Sequence, residues 1–337
     1  MTPTKVPMTK KAGKGEFGRI RDYFAPLTEG RAGSFNLKDD AAWLDFPTSE
    51  HLVITTDMLV RGVHFLGDET PAEIAAKALR VNLSDLAGKG ACPLAYSLGL
   101  ALPSDVEDAW VEQFAAGLAE DQKRYGLYLL GGDSVSTPGP ITISITTYGT
   151  IPKDCYPSRT AGRVGDHLYV SGTIGDGALG LLAARGVFGR SGISDRLVER
   201  YRYPQPRIQL GQLLRGMVSA SMDISDGLVG DLSALAKASG CCAGINSFDV
   251  PLSESAAALI AEEPSLLETA LTGGDDYELL FAVPPRSVEA VKQAASLANT
   301  PIQQIGMLRA GDPSGDVFVS DREGKRLEFI QEKYTHT

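Results

Sequence analysis

The placement of aspartates constrains this chain more than any other feature. Asp39-Asp40, Asp57, Asp85, Asp133, Asp223, Asp226 and Asp275-Asp276 mostly follow an apolar stretch and stand beside Gly, Ser or Thr. Taken singly, an aspartate next to a glycine is a turn signal. Taken as a set, isolated carboxylates at the ends of strands suit hard cations. Mg²⁺ accepts only one or two carboxylates from protein and completes its shell with water and phosphate oxygens. The set therefore predicts an architecture in which several strand ends converge on one rim.

The 337 residues are 43% hydrophobic and 22% charged, enough for two domains that each bury a core. The 42 acidic and 32 basic residues leave a net charge of −10. A nucleic-acid backbone would be repelled by most of such a surface, so nucleic acid is excluded as the expected partner. A phosphorylated small molecule remains compatible only if divalent cations stand between it and the carboxylates. The four cysteines, Cys92, Cys155, Cys241 and Cys242, form no C-x-x-C pair and read as free thiols of a reducing, cytoplasmic compartment. Residues 1–15 lack an apolar core segment and read as a disordered tail rather than a secretory signal. No run approaches the roughly 18 apolar residues of a membrane span.

Phe17, Ile20, Phe24 and Leu27 recur at helical spacing. A strand through Leu52-Val53-Ile54 is expected to stop at Thr55-Thr56-Asp57. Thr70-Pro71-Ala72-Glu73 is a capping box with proline at the first helical position, and its helix reaches Ala87 with Asn82 and Asp85 on one face. Ala95 to Leu102 reads as a buried strand, and Ser104-Asp105-Val106-Glu107 as a second capping box before a Trp110, Phe114, Leu118 stripe. A short strand ends at Gly131-Gly132-Asp133, and Ile141, Ile143 and Ile145 alternate with polar residues. Residues 50–150 thus read β-α-β-α-β-β, an α+β layer with its helices on one face. The predicted organisation is a domain over 16–152 and a C-terminal α/β domain over 153–337, joined by a Pro- and Gly-rich segment.

Two glycine motifs need separating from the aspartates. Gly175-Asp176-Gly177-Ala178-Leu179-Gly180 matches the dinucleotide fingerprint, yet no second parallel strand ending in an acidic residue follows it. Gly88-Lys89-Gly90 lacks the spacing and hydroxyl of a phosphate-binding P-loop. In contrast, Gly131-Gly132-Asp133-Ser134 lets backbone N–H groups approach a phosphate, and Asp223-Ile224-Ser225-Asp226-Gly227 opens a helix whose free N–H groups attract anions. Asp226 has the plainer reading of a helix cap. His64, in Arg61-Gly62-Val63-His64-Phe65, is either a ligand contact or a surface histidine.

Together these motifs resemble the thiamine-monophosphate kinase family, within the aminoimidazole-ribonucleotide synthetase-like superfamily. The likeness rests on Lys38-Asp39-Asp40-Ala41-Ala42, Thr55-Thr56-Asp57-Met58-Leu59-Val60, Lys77-Ala78-Leu79 with Asn82-Leu83-Ser84-Asp85-Leu86-Ala87, Gly131-Gly132-Asp133, Asp223-Ile224-Ser225-Asp226-Gly227-Leu228 and Gly273-Gly274-Asp275-Asp276-Tyr277-Glu278-Leu279. It spans residues 15–334. The resemblance implies the superfamily's two-domain fold and a homodimer whose first domains pair strands. It also implies ATP- and Mg²⁺-dependent phosphorylation of thiamine monophosphate to thiamine diphosphate by direct in-line transfer. By position it implies that Asp40, Thr55, Thr56, Asp57, Asp85, Asp133, Asp223 and Asp226 hold Mg²⁺. Gly132, Asp133, Arg159 and Ser225 would meet the nucleotide, and His64, Asp275 and Phe329 the acceptor. Asn36-Leu37-Lys38 departs from the family's Gly-x-Gly; Asp275 and Phe329 replace a frequent Glu and Trp. The alternatives are a sister enzyme such as aminoimidazole-ribonucleotide synthetase, or a catalytically idle nucleotide-binding protein.

Overall fold

The computed structural model describes residues 14–189, 191–311 and 314–329. The expected tail lies outside the described residues, apart from Lys14 and Gly15. Helix α1 (Gly15–Arg19) continues into a π turn, Ile20–Phe24, and a 3₁₀ turn, Ala25–Thr28. The π turn gives way to the 3₁₀ turn where Pro26, with no N–H to donate, interrupts the ladder. Phe24 and Leu27 bury their part of the expected stripe against the first core, whereas Phe17 is exposed.

The first half follows as β1 (Glu50–Val60), α2 (Pro71–Gly88), β2 (Cys92–Pro103), α3 (Asp108–Tyr125), β3 (Tyr128–Thr137) and β4 (Thr142–Pro152). Its sheet has the order β1-β4-β2-β3, with β2 and β3 parallel and the other pairs antiparallel. This is the β-α-β-α-β-β succession expected from the sequence. Ile143 and Ile145 pack with Leu79, Leu83, Phe114 and Leu118, so both helices cover one face.

Two aspartates sit differently from the expectation. Asp57 and Asp133 lie within β1 and β3, not at their ends. Strand β1 pairs with β4 along its whole length, with Asp57 opposite Ile145. Thr55 and Thr56 are good strand formers and carry the ladder onward. The second capping box does not form either. Strand β2 runs to Pro103, a turn closed by Val106 N–H to the Pro103 carbonyl follows, and α3 begins at Asp108.

The second half comprises β5 (His167–Ser171), α4 (Asp176–Ala184), α5 (Gly192–Arg202), α6 (Ile208–Leu213), β6 (Ala220–Asp223), α7 (Leu228–Ala238), β7 (Cys242–Asn246), α8 (Glu254–Glu262), α9 (Leu266–Thr272), β8 (Leu279–Val283), α10 (Val288–Leu297), β9 (Ile302–Arg309) and β10 (Val317–Ser320). The sheet order is β10-β7-β9-β5-β8-β6. Strand β5 is antiparallel to both neighbours, so the G-x-G-x-x-G beside it belongs to no dinucleotide fold. Leu228, Leu232 and Leu235 of α7 fill the core under this sheet.

Helix α2 joins the halves, packing on β1 and β4 on one side and on β6 and α6 on the other. Gly88 permits this. A Cβ there would stand 2.9 Å from the Asp223 backbone nitrogen. The close approach sets Asp85, one turn earlier, beside the end of β6. Among the described residues no helix is long and apolar enough to cross a membrane.

Candidate active site

Helix α2 is fixed at its start by the predicted capping box. Thr70 accepts from Glu73 N–H, and the Glu73 carboxylate accepts from Thr70 N–H. Its residues Lys77, Val81 and Asp85, spaced by four, present one face to a cavity of about 380 Å³ between the halves. At one end stand Asp57 of β1, Asp85 of α2, Asp223 at the tip of β6, and Ser225 and Asp226 of the loop before α7. Thr55, on the same face of β1 as Asp57, donates its hydroxyl to Asp85 Oδ2. Burial, followed by the charge of Asp85, pushes Asp57 up to about 7. Asp223 is raised well above the usual carboxylate range by burial and then by Asp85. Like charges crowd here, and those of Asp85 and Asp223 also act on the nearby Lys89 ammonium.

The loop carrying Ser225 and Asp226 is moulded by a residue the sequence did not single out. Asp231, inside α7, accepts from the N–H groups of Ser225 at 2.9 Å and Asp226 at 3.0 Å. Asp226 therefore does not cap α7, whose N-cap is Gly227. The loop is pressed against a second one. Asp275 N–H donates to the Ser225 carbonyl, and a Cβ on Gly274 would stand 2.2 Å from that oxygen.

His64, Lys77, Tyr201 and Asp275 line the same cavity, with Met58, Val63, Leu181 and Leu182 as an apolar wall, and the Tyr277 hydroxyl that donates to Asp275 also lies within reach of the Asp57 and Asp223 charges. His64 Nδ1 accepts from Val60 N–H at 3.0 Å. Lys77, almost wholly buried, reaches Asp275 Oδ2 at 3.0 Å and lies 3.6 Å from the Tyr201 ring centre. Burial lowers its pKa, while Asp275 and Glu69 oppose that shift. Asp275 (φ 73°) and Tyr277 (φ 52°) are held in left-handed conformations, strain typical of a functional loop.

The remaining predicted residues lie elsewhere. Asp40, Gly132 and Asp133 border a second cavity of about 310 Å³ beside β2 and β3. Thr56 faces the other side of the sheet and hydrogen-bonds Thr146 at 2.8 Å, away from Asp57 and Asp85. Arg159 is exposed, and its charge acts on Lys89 and Asp231. Phe329 packs on the core of the second sheet rather than on the cavity.

Known proteins share this two-domain organisation. Residues 38–151 match the N-terminal domain of the AIR synthase related proteins, and residues 163–317 match their C-terminal domain. A thiamine-monophosphate kinase of Caulobacter vibrioides is 43% identical over 301 residues, covering 88% of this chain and 85% of that one. The chain belongs to the thiamine-monophosphate kinase family. Two solved structures agree. The kinase from Stenotrophomonas maltophilia K279a is 33% identical with a TM-score of 0.81, over 92% of this chain and 96% of that one. AaThiL complexed with AMPPCP and TMP is 33% identical with a TM-score of 0.74, over 96% and 97%.

Several residues of the kinase motifs prove to be scaffold. In Gly273-Gly274-Asp275-Asp276-Tyr277-Glu278-Leu279 only Asp275 offers the cavity a carboxylate. Asp276 is buried and accepts from Gly175 N–H at 2.7 Å and Gly177 N–H at 2.9 Å. Glu278, fully buried, is gripped by both arms of Arg207, by Arg200 and by the Ser171 hydroxyl. The Asn36-Leu37-Lys38 segment sits on an unusual backbone. Phe35, Asn36 and Leu37 all have φ between 50° and 57°, at about 1 kcal/mol each for a side chain in that region.

Sequence reasoning also passed over Lys89, whose ammonium donates to the Ser221 carbonyl at 2.6 Å. Burial and then Arg159 lower it to about 8. Lys77 had a readable signal: it is two helical repeats of four from Asp85, on the same face. The cavity of this acidic protein thus holds a cation of its own.

Proposed function

We propose that this chain transfers the γ-phosphoryl group of ATP to the phosphate of thiamine monophosphate, giving thiamine diphosphate and ADP. The observation that carries the reading is one cavity lined by carboxylates from both halves, a buried lysine and an apolar wall. The 43% identity to a thiamine-monophosphate kinase, and a relative solved with AMPPCP and TMP, support it.

The donor set fits Mg²⁺. Among the described residues no three Asp, Glu, His or Cys side chains already converge on one point. Mg²⁺ does not require such a cage, since water and phosphate oxygens fill most of its shell. The raised Asp57 and Asp223 carboxylates are what crowded acids show before a cation joins them. In this reading Asp57, Asp85, Asp223 and Asp226, with Thr55 beside them, hold Mg²⁺ at the first cavity, and Asp40 and Asp133 at the second. Bound there, Mg²⁺ offsets phosphate charge and aligns the reacting groups.

The protein's part is then positioning. Asp231 fixes the loop that brings Ser225 and Asp226 to the phosphates. Gly132 lets the backbone approach the nucleotide, and Arg159 adds a charge at the rim. Attack needs no general base, because the acceptor phosphate is already ionised at neutral pH. His64 and Asp275 meet the acceptor.

We further propose a homodimer paired through the first sheet. Strand β1 is an edge strand, and Ile54 and Met58 on it are more than half exposed. Four unbridged cysteines suit a cytoplasmic setting. The test of the activity is ADP release with Mg²⁺ over a panel containing thiamine monophosphate and formylglycinamidine ribonucleotide. Release with thiamine monophosphate is expected; turnover on the ribonucleotide alone would sink the assignment.

A further inference from the structure

Gly88-Lys89-Gly90 is no phosphate loop, and the fold gives it a different role. Both glycines are points of close approach between the halves. A Cβ on Gly88 would stand 2.9 Å from the Asp223 backbone nitrogen, and one on Gly90 2.8 Å from the Gly211 carbonyl oxygen. Arg215 Nε donates to the Gly90 carbonyl at 2.6 Å. Lys89 is thus pinned between two contacts, at the C-cap of α2, where a cation also suits the helix dipole. Its side chain turns back across the junction. The ammonium donates to the carbonyl of Ser221 at 2.6 Å, so β6, an edge strand, takes this partner from outside its ladder.

This tether runs beside a pair of acids from the two halves. Asp85 lies one helical turn before Lys89, and Asp223 lies two residues after Ser221. The charges of both act on the ammonium, opposed by that of Arg159. Yet Lys89 is absent from the described residues that line the cavity, whereas Asp85 and Asp223 are among them. The ammonium therefore stands behind the carboxylates, placed to balance their charge and not to touch a ligand. A fixed cation in that position screens the repulsion between the two acids. For the same reason it opposes a second cation at their other side.

We propose that Lys89 is a resident counter-ion of Asp85 and Asp223, which keeps the two acids together without metal and lowers their affinity for a divalent cation. The inference rests on the proposed reading in which these acids hold Mg²⁺. It makes Lys89 a positioning residue, not a ligand. It also says how the ion comes and goes. Carboxylates already half neutralised hold free Mg²⁺ weakly, and the ion gains the rest of its shell from phosphate oxygens. Metal is then retained while a nucleotide is bound and given up when the nucleotide leaves.

The experiment titrates Mn²⁺ alone, without nucleotide, into the wild type, Lys89→Arg, Lys89→Gln, Lys89→Met and Asp85→Asn, with free ion read by electron paramagnetic resonance. Melting temperatures are measured with and without the metal. The binding lost in Asp85→Asn defines the site at issue. At that site Lys89→Gln, which keeps a donor but no charge, should bind Mn²⁺ ~3–10-fold more tightly than the wild type. Lys89→Arg, which keeps both, should stay within about twofold of the wild type. Lys89→Met, which keeps neither, should melt lowest without metal and regain part of the loss with it. Unchanged or weaker binding in Lys89→Gln, or an equal shift in Lys89→Arg, would overturn the counter-ion. Variants that stay unfolded at saturating Mn²⁺ would overturn it too, leaving Lys89 a tether alone. Wild-type Mn²⁺ binding untouched by Asp85→Asn would overturn the metal reading, and this inference with it. Binding lost in Asp85→Asn but unshifted in Lys89→Gln overturns the inference alone.

Discussion

The carboxylate of Asp231 receives the backbone N–H of Ser225 at 2.9 Å, and with the same oxygen that of Asp226 at 3.0 Å. A buried acid inside α7 thereby shapes the loop that offers Asp226 to the cavity. Asp231→Ala would leave two N–H groups without their acceptor, at about 1–3 kcal/mol for a buried orphan group. Turnover should fall ~10–100-fold with a lower melting temperature. Asp231→Asn keeps an acceptor oxygen and should retain most of both. Equal damage from the two variants would mean that charge, not hydrogen bonding, holds the loop.

Asp85 lies among Thr55, Asp57 and Asp223, and its charge contributes to the raised pKa of both acids. Asp85→Asn should lower Mg²⁺-dependent turnover by at least ~100-fold while the metal-free protein melts no earlier, because a repulsive charge has gone. Near-normal turnover at millimolar Mg²⁺ would remove Asp85 from the ligand set.

Gly88→Ala tests how the halves are joined. Helix propensity alone favours alanine by up to ~1 kcal/mol. The added Cβ would meet the Asp223 backbone nitrogen at 2.9 Å, so α2 must move away from β6. Overpacking of this kind costs about 1–3 kcal/mol, and the shift separates Asp85 from Asp223. Both melting temperature and turnover should drop. Loss of stability with unchanged turnover would show that the spacing of these two acids is not critical.

Asp276 makes a pH prediction. Burial, against the opposing pull of the Gly175 and Gly177 N–H groups, pushes it up from 3.8 to about 8. A carboxyl with a raised folded-state pKa favours the folded state at low pH. That contribution is complete below the unfolded value and declines until pH passes the folded one. Wild-type stability should therefore fall between pH 4 and 8 relative to Asp276→Asn, with the difference flat above that range. Denaturant unfolding of both proteins across pH 4–9 measures it. Parallel curves would mean the carboxyl is ionised throughout.

Local chemistry carried much of this into the sequence. Thr70, Pro71 and Glu73 start α2 as their types dictate, and the alternating isoleucines of β4 face the core. The paired motifs around Asp57, Asp85, Asp223 and Asp226 do meet at one cavity end. What sequence pattern cannot encode is pairing over distance. Asp57 reads as a strand terminator because its neighbours in sequence look like a turn, whereas the ladder to β4 extends β1 past it. Ser104 to Glu107 have the composition of a cap, yet β2 continues to Pro103 and displaces the helix start. Asp276 and Glu278 carry charges that invite a functional reading, and only the folded chain shows them bound to backbone and to Arg207. Asp231 and Lys77 reach their partners through loops that local spacing does not predict.

Lys77 and Asp85 share one continuous, doubly packed helix, and that has a consequence for what the cavity can hold. Their Cα separation is set by the rise of α2, about 12 Å over eight residues, and cannot be altered by loop motion. The cavity is therefore a gauge of fixed length along this wall: whatever lies against it is measured by backbone geometry, and a longer occupant gains no room from a loop that moves.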